Sequence, residues 1–412
     1  MARSSYRARM KALLFAAWIG TWAAAPQPAL PAVRTFQNET IRLIVHTSAG
    51  GSRVRVHFSN LYGDRPLVIG AAHIARRGSV AGIEQTSDRR LTFGGRSSIA
   101  IPARSSVVTD PVNLAVAPLS DLAISVFLPR ATAATTSHVL AKQTNYLSTK
   151  GDHVADASFP ISQTFRSWPF LTGVDVETAH GASVVAFGSS LTDGDGTAVD
   201  NNHRYPDILA ERLQNRGRTD VGVLNEGLIG NRLLSDSPKK MTKYFGAALG
   251  EAGLKRFDRD VLSQPGVQWV IIGLGVNDIL MPGEMAPASE APAAEAIIAA
   301  YRQLIGRAHA KGVRVIGSTI PPFEDSFFKD PPMQFYTAEK ESVRRKVNAW
   351  ILNSGEFDAV VDFDSAVRDP DRPTRILPAY DSGDHLHPND AGAIAQANVI
   401  PLELFSPPSP AR

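Results

Sequence analysis

From about residue 178 onward the chain alternates short apolar runs with helical segments, and this alternation restricts the fold more than any other feature. Strands are predicted at 183–187, 221–224, 267–272, 313–320 and 359–363. Helices are predicted at 206–215, 293–310 and 337–353, with a last one from Asn389 to about Leu404. A helix between two strands returns the chain to the same end of the sheet, so the strands run parallel and the helices cover both faces. The expected class is therefore α/β, with a mostly parallel sheet whose ligands sit beyond the carboxyl ends of the strands.

The preceding region has a different rhythm. Ile41-Arg42-Leu43-Ile44-Val45-His46-Thr47, the turn residues Ser48-Ala49-Gly50-Gly51 and the alternating Val54-Arg55-Val56-His57-Phe58 predict a β-hairpin. Further short strands are predicted at 67–69, 98–101, 107–108 and 122–128, punctuated by Gly, Pro, Asn or Asp. No helical period intervenes, which points to an all-β sandwich. For a chain of 412 residues two domains are expected, a β-sandwich over 35–172 and an α/β domain over 178–406. At 43% hydrophobic and 20% charged, the composition is enough for a real core.

The N-terminus carries Arg3, Arg7, Arg9 and Lys11, then the apolar Ala12-Leu13-Leu14-Phe15-Ala16-Ala17-Trp18-Ile19-Gly20. Basic, then apolar, then small is the order of a secretory signal peptide, so residues 1–30 are expected to be a leader and the protein secreted or periplasmic. Cleavage fits after Ala25, or after Ala16 or Ala17. The run is shorter than the roughly 20 residues needed to span a bilayer, so no stable membrane insertion is expected. A net charge of +3 with no basic block beyond the N-terminus excludes a nucleic-acid footprint. The absence of cysteine excludes disulfides, thiolate metal sites and cysteine nucleophiles.

Four segments at strand ends carry chemistry. Val184-Val185-Ala186-Phe187 runs into Gly188-Ser189-Ser190-Leu191-Thr192-Asp193-Gly194, which delivers a serine hydroxyl to the rim of the sheet. Ser190 is a candidate nucleophile if a base lies within reach; otherwise the two serines merely shape a turn. Asp384-His385-Leu386-His387-Pro388 supplies that base as His387, with Asp384 placed to accept from its ring. His385 reads as a rim residue. Clustered Asp384, His385 and His387 could alternatively ligate a metal, but no matching ligand group accompanies them in the sequence. Asn225-Glu226-Gly227-Leu228-Ile229-Gly230-Asn231 and Gly273-Leu274-Gly275-Val276-Asn277-Asp278 offer donors for a developing oxyanion: the Gly230 amide, the Asn277 side chain and the Ser190 amide.

Ser, Gly, Asn and His in this order, each after a strand, resemble the four blocks of the SGNH hydrolases, also called GDSL lipases/esterases. The resemblance covers about 180–405. It implies a flavodoxin-like three-layer α/β/α domain that hydrolyses acyl esters through an acyl-serine, with no metal and no cofactor. It also implies Ser190 as nucleophile, Asp384 and His387 as the rest of a triad, and Ser190, Gly230 and Asn277 as the oxyanion hole. Ser189 stands where the family usually has Asp. The N-terminal region is similar to the β-sandwich of a secreted bacterial subgroup described as xylan esterase-like, and Trp18-Ile19-Gly20-Thr21-Trp22-Ala23 resembles the start of its mature chain. The expected substrate is a short-chain, such as acetyl, ester on a carbohydrate. A lipid esterase or lysophospholipase, and a carbohydrate-binding protein without activity, are the alternatives.

Overall fold

The structure is a computed structural model and describes residues 17–406. Its second half holds a five-stranded sheet in the order Val221–Gly227, Ala182–Gly188, Val267–Gly273, Arg314–Ser318, Ala359–Val361, every neighbouring pair parallel. This flavodoxin-like order follows from a chain that starts near the middle of the sheet, steps once to one side and then moves to the other. Ala182–Gly188 is buried along its whole length, as a strand covered on both faces must be. Phe187 and Val185 pack on one face with Leu304 and Tyr301 of the helix Ala294–His309. Val184 and Ala186 pack on the other with Leu209 and Leu213 of the helix Tyr205–Asn215.

The last helix is shorter than its predicted range. It spans Asp390–Asn398, with the Asn389 side chain accepting from the Gly392 amide at its start. Pro401 cannot continue the ladder, and the chain resumes only as a single turn over Leu402–Phe405.

The first half is two packed antiparallel sheets. One runs Ala17–Ala23, Leu171–Thr178, Gly51–Ser59, with Ser106–Val108 and Val112–Val116 both on Gly51–Ser59. The other runs Ile161–Phe165, Asn145–Lys150, Glu39–His46, Asp121–Leu128, Ala71–Arg76, Arg89–Arg90. Val54, Val56 and Phe58 point inward while Arg53, Arg55 and His57 point out, and the inward set meets Leu43, Ile74, Ile124 and Val126 of the other sheet.

The predicted hairpin does not form. Glu39–His46 pairs with Asp121–Leu128 on one edge and Asn145–Lys150 on the other, so it has no edge left for Gly51–Ser59. The turn at 47–50 instead carries the chain from one sheet to the other, and the Ser48 amide and hydroxyl both donate to the Thr21 carbonyl. Within the leader expected over 1–30, Ala17–Ala23 forms a largely buried strand of the sandwich, paired with Leu171–Thr178. Residues 1–16, which hold the basic stretch of that expectation, lie outside the described residues. Among the described residues no helix is long and apolar enough to cross a membrane.

Ala17–Ala23 also joins the two halves. The Gly20 amide donates to the Pro265 carbonyl, and the Val223 amide donates to the Ser48 hydroxyl. The strand passes so close to Val221–Gly227 that a Cβ on Gly222 would lie 2.0 Å from the Gly20 carbonyl oxygen. Backbone on both sides leaves no side chain to swing away. Gly222→Ala is therefore expected to destabilise the protein by about 3 kcal/mol, read from the urea midpoint. An unchanged midpoint would mean that the two strands can separate freely.

Candidate active site

Ser190 opens a one-turn helix, Ser190–Asp193, directly after Ala182–Gly188. A residue at the start of a helix has no intrahelical acceptor for its amide, so the Ser190 N–H is directed outward along with its hydroxyl. Only 5% of Ser190 is exposed, and Ser189 is fully buried with a hydroxyl that has no hydrogen-bond partner among the described residues.

The loop 381–389 brings His387 to that serine. His387 Nε2 lies 2.8 Å from Ser190 Oγ, and His387 Nδ1 lies 2.5 Å from Asp384 Oδ2. The other carboxylate oxygen of Asp384 accepts from the amides of Leu386 and His387 at 3.0 and 2.9 Å and from the Ser382 hydroxyl at 3.1 Å. With Asp384 an anion, Nδ1 carries the proton, and Nε2 is free to accept from the serine. The three residues picked from the sequence thus form one hydrogen-bonded chain. His385 turns away: its ring binds Asp381 at 2.5 Å and sits 5.9 Å from Phe327, so Asp384, His385 and His387 do not converge on a point as metal ligands would.

The second block is tied to the first, and the third to the second. Leu228 N donates to Gly188 O at 3.2 Å, and Asn225 Nδ2 donates to Thr192 O at 2.9 Å. Gly230 has φ +64°, a left-handed turn that glycine adopts without strain. The carbonyl of the next residue, Asn231, accepts from Asn277 Nδ2 at 2.9 Å, which leaves the second N–H of that amide available. Asp278 fixes the same loop: its carboxylate accepts from the amides of Leu233 and Leu234 at 2.6 and 2.8 Å. Burial pushes the pKa of Asp278 up to about 6 against those two bonds.

Several residues of the site were missed in the sequence. Arg256, fully buried, donates to Gly188 O, Glu226 O and Asn231 Oδ1. Asp195 places a carboxylate oxygen 3.9 Å from His387 Nε2. His138 of the sandwich reaches Asp193, at the end of the serine helix, at 2.9 Å. Arg256 sits in Lys255-Arg256-Phe257-Asp258-Arg259-Asp260, a charged run that reads as a solvated face, and no local signal marks the one buried guanidinium in it.

The electrostatics follow from this geometry. Burial works against an ionised Asp384, but the hydrogen bond and charge of His387 and two backbone amides outweigh it and hold its pKa well below the usual carboxylate range. Burial likewise disfavours a charged His387, and the Asp384 hydrogen bond with the charges of Asp195 and Asp384 outweighs it and raises its pKa.

Residues 186–394 match the GDSL-like Lipase/Acylhydrolase family. Among solved structures, the chain is similar to an acetyl xylan esterase variant from Geobacillus stearothermophilus (20% identity over 53% of this chain and 93% of that one, TM-score 0.37). It is similar to a carbohydrate acetylesterase family member from Sinorhizobium meliloti (17%, 53% and 94%, TM-score 0.39). It is also similar to a GDSL-like lipase from Bacteroides thetaiotaomicron VPI-5482 (18%, 53% and 84%, TM-score 0.33). No curated protein sequence gives a match.

The pair has a pH window whose sign is fixed by these shifts. Asp384, held low, contributes stability above about pH 4 that is lost as pH falls through its folded value. His387, held high, contributes stability that is complete below about pH 6.5 and lost as pH rises through its folded value. Asp384→Asn is expected to lower the His387 pKa in an NMR titration and to cost more stability at about pH 5.5 than at pH 9. A His387 pKa that stays put would show that Asp384 does not govern the ring.

Proposed function

The chain belongs to the GDSL-like lipase/acylhydrolase family and is a carboxylic ester hydrolase, and from that premise we propose that it works through an acyl-serine on Ser190. The observation that carries this reading is the unbroken hydrogen-bonded chain Ser190–His387–Asp384. Ser190 Oγ attacks the ester carbonyl carbon while its proton passes to His387 Nε2. Negative charge develops on the former carbonyl oxygen, and the amides of Ser190 and Gly230 with the Asn277 side chain are the donors assigned to it, each worth roughly 3–4 kcal/mol of barrier. Collapse of the tetrahedral intermediate expels the alcohol, which takes the proton back from His387. Water then attacks the acyl-serine by the same route, with His387 again as base. Asp384 keeps the ring in its tautomer and stabilises the imidazolium while it exists.

The substrate in this reading is a short-chain acyl ester of a polar alcohol, such as an acetylated carbohydrate. One feature supports it: the carboxylate of Asp195, 3.9 Å from His387 Nε2 at the rim of the ring, can accept from a hydroxyl of the alcohol. Such a substrate also goes with export, as expected from the basic-then-apolar N-terminus. A lipid ester is the second reading, favoured by Phe327 and Phe328, each 37% exposed beside the loop that holds His385.

Ser190→Ala is expected to abolish hydrolysis of p-nitrophenyl acetate with the melting temperature nearly unchanged, while Ser189→Ala keeps most of the activity. The reverse pattern would mean that the wrong serine has been chosen. Parallel assays on acetylated xylan and a lysophospholipid separate the two substrate readings, with turnover expected on the first. Activity is expected to survive EDTA; loss restored by one divalent ion would replace the serine mechanism by a metal one.

A further inference from the structure

His138 and Asp193 form a buried pair that the hydrolytic chemistry does not use. His138 lies on the sandwich strand Thr136–His138, and Asp193 ends the helix that Ser190 begins. Their side chains are 2% and 1% exposed, and Nε2 of the ring meets Asp193 Oδ1 at 2.9 Å. The other ring nitrogen, Nδ1, faces the carbonyl oxygen of Ala25 at 3.0 Å. A carboxylate and a carbonyl only accept, so a ring that satisfies both must donate from both nitrogens, which only the imidazolium can do. The cation also answers an anion that has no other close support: Asp193 Oδ2 has no hydrogen-bond partner among the described residues.

The other charged groups facing the pair are Arg204 and Glu226. Arg204 opposes the charge on His138, and burial pushes the Glu226 carboxyl well above the usual range. Trp168 lies 5.7 Å from the imidazole. For His138 itself, burial disfavours the charged ring, but Asp193 and the Ala25 carbonyl outweigh it and raise the pKa.

The helix that receives this bond has four residues and no side-chain cap at its start. So short a helix does not hold itself together, and its orientation must come from tertiary contacts. Ser190 is one turn from Asp193, so a shift of the carboxylate carries the hydroxyl with it. The same sandwich segment grips the chain again a few residues on: Asp200 accepts from Gln143 Nε2, Thr144 N and Thr144 Oγ1 at 2.7, 2.5 and 2.6 Å.

We propose that His138, contributed by the β-sandwich, is a positioning residue for Ser190, acting as an imidazolium paired with Asp193 to hold the serine helix in register with His387. The β-sandwich is in this sense part of the active site. The proposal rests on Ser190 being the nucleophile.

The test uses the full chain as wild type, His138→Gln, and His138→Gln with Asp193→Asn. Acylation rates per site are read from p-nitrophenyl acetate bursts, and sites are counted with a fluorophosphonate whose adduct is located by peptide mass spectrometry. His138→Gln is expected to lower the per-site acylation rate by about 10- to 100-fold, as small misplacements of reacting groups do, with KM little changed. The double variant, a neutral hydrogen-bonded pair, is expected to recover most of that rate; no recovery would overturn the ion pair as the origin of the effect. A wild-type per-site rate in His138→Gln, with the adduct on Ser190, overturns the positioning role alone, even if the melting temperature falls. An adduct elsewhere in the wild type overturns the nucleophile assignment and the positioning role with it. Should His138→Gln not fold, the ring ¹⁵N shifts of His138 in the wild type at pH 7.5 decide: both nitrogens protonated is expected, and a neutral ring overturns the proposal.

Discussion

One guanidinium holds the site's framework together. Arg256 lies at the carboxyl ends of the parallel strands with none of its surface exposed, and it spans the carbonyls of Gly188 and Glu226 and the side chain of Asn231. These groups belong to the first two chemical blocks, which are otherwise separate loops. Its charge is met by Asp260 at 3.1 Å and its face by the Phe187 ring at 4.1 Å. A buried cation of this kind is stable only with most of its donors matched, and deleting one partner of such a pair typically costs about 3–5 kcal/mol. The loops are thus fixed by a group that the reaction itself never touches.

A second constraint comes from the sandwich. Tyr62 donates to Glu251 at 3.0 Å, Glu251 accepts from Arg259, and Arg259 binds Asp260, so the network around Arg256 continues across the boundary between the two halves. Ala17–Ala23 packs on Val221–Gly227, and the loop around Thr144 binds Asp200. The two halves bury their mutual surface with specific polar contacts rather than apolar area alone. Removal of the sandwich would strip Asp193 and Asp200 of their partners and uncover apolar surface such as Leu224, which Gly20 now covers, and exposing apolar surface to water costs free energy.

Much of this was legible in the sequence because it is local. The five strands of the α/β half are short runs rich in apolar residues, and composition and length identify those without reference to the rest of the chain. Asn389 marked a helix start because its side chain caps within three residues. The hairpin failed because a turn signal says that the chain reverses, not which strand it then pairs with; Glu39–His46 found partners at Asp121–Leu128 and Asn145–Lys150, far along the chain. The strand Ala17–Ala23 was hidden by an apolar run that serves equally as the end of a leader. The helix after Asn389 is shorter than its apolar pattern suggests because Pro401 lacks the N–H that would continue the ladder.

The sequence by itself determined which residue types stand at the strand ends: a serine after one apolar run, and an Asp-x-x-His spacing that lets a short loop pair Asp384 with His387 without help from elsewhere. It also determined the alternation that makes the sheet parallel and puts those ends on one side. Only the tertiary structure decided that His387 Nε2 meets Ser190, that Arg256 rather than the nearby Arg259 is fully buried, and that His138 of the sandwich pairs with Asp193. These contacts join residues between about 30 and 200 positions apart. Their energies depend on desolvation, which no local pattern records, because a charge has the same letter whether it faces water or is sealed beneath another domain.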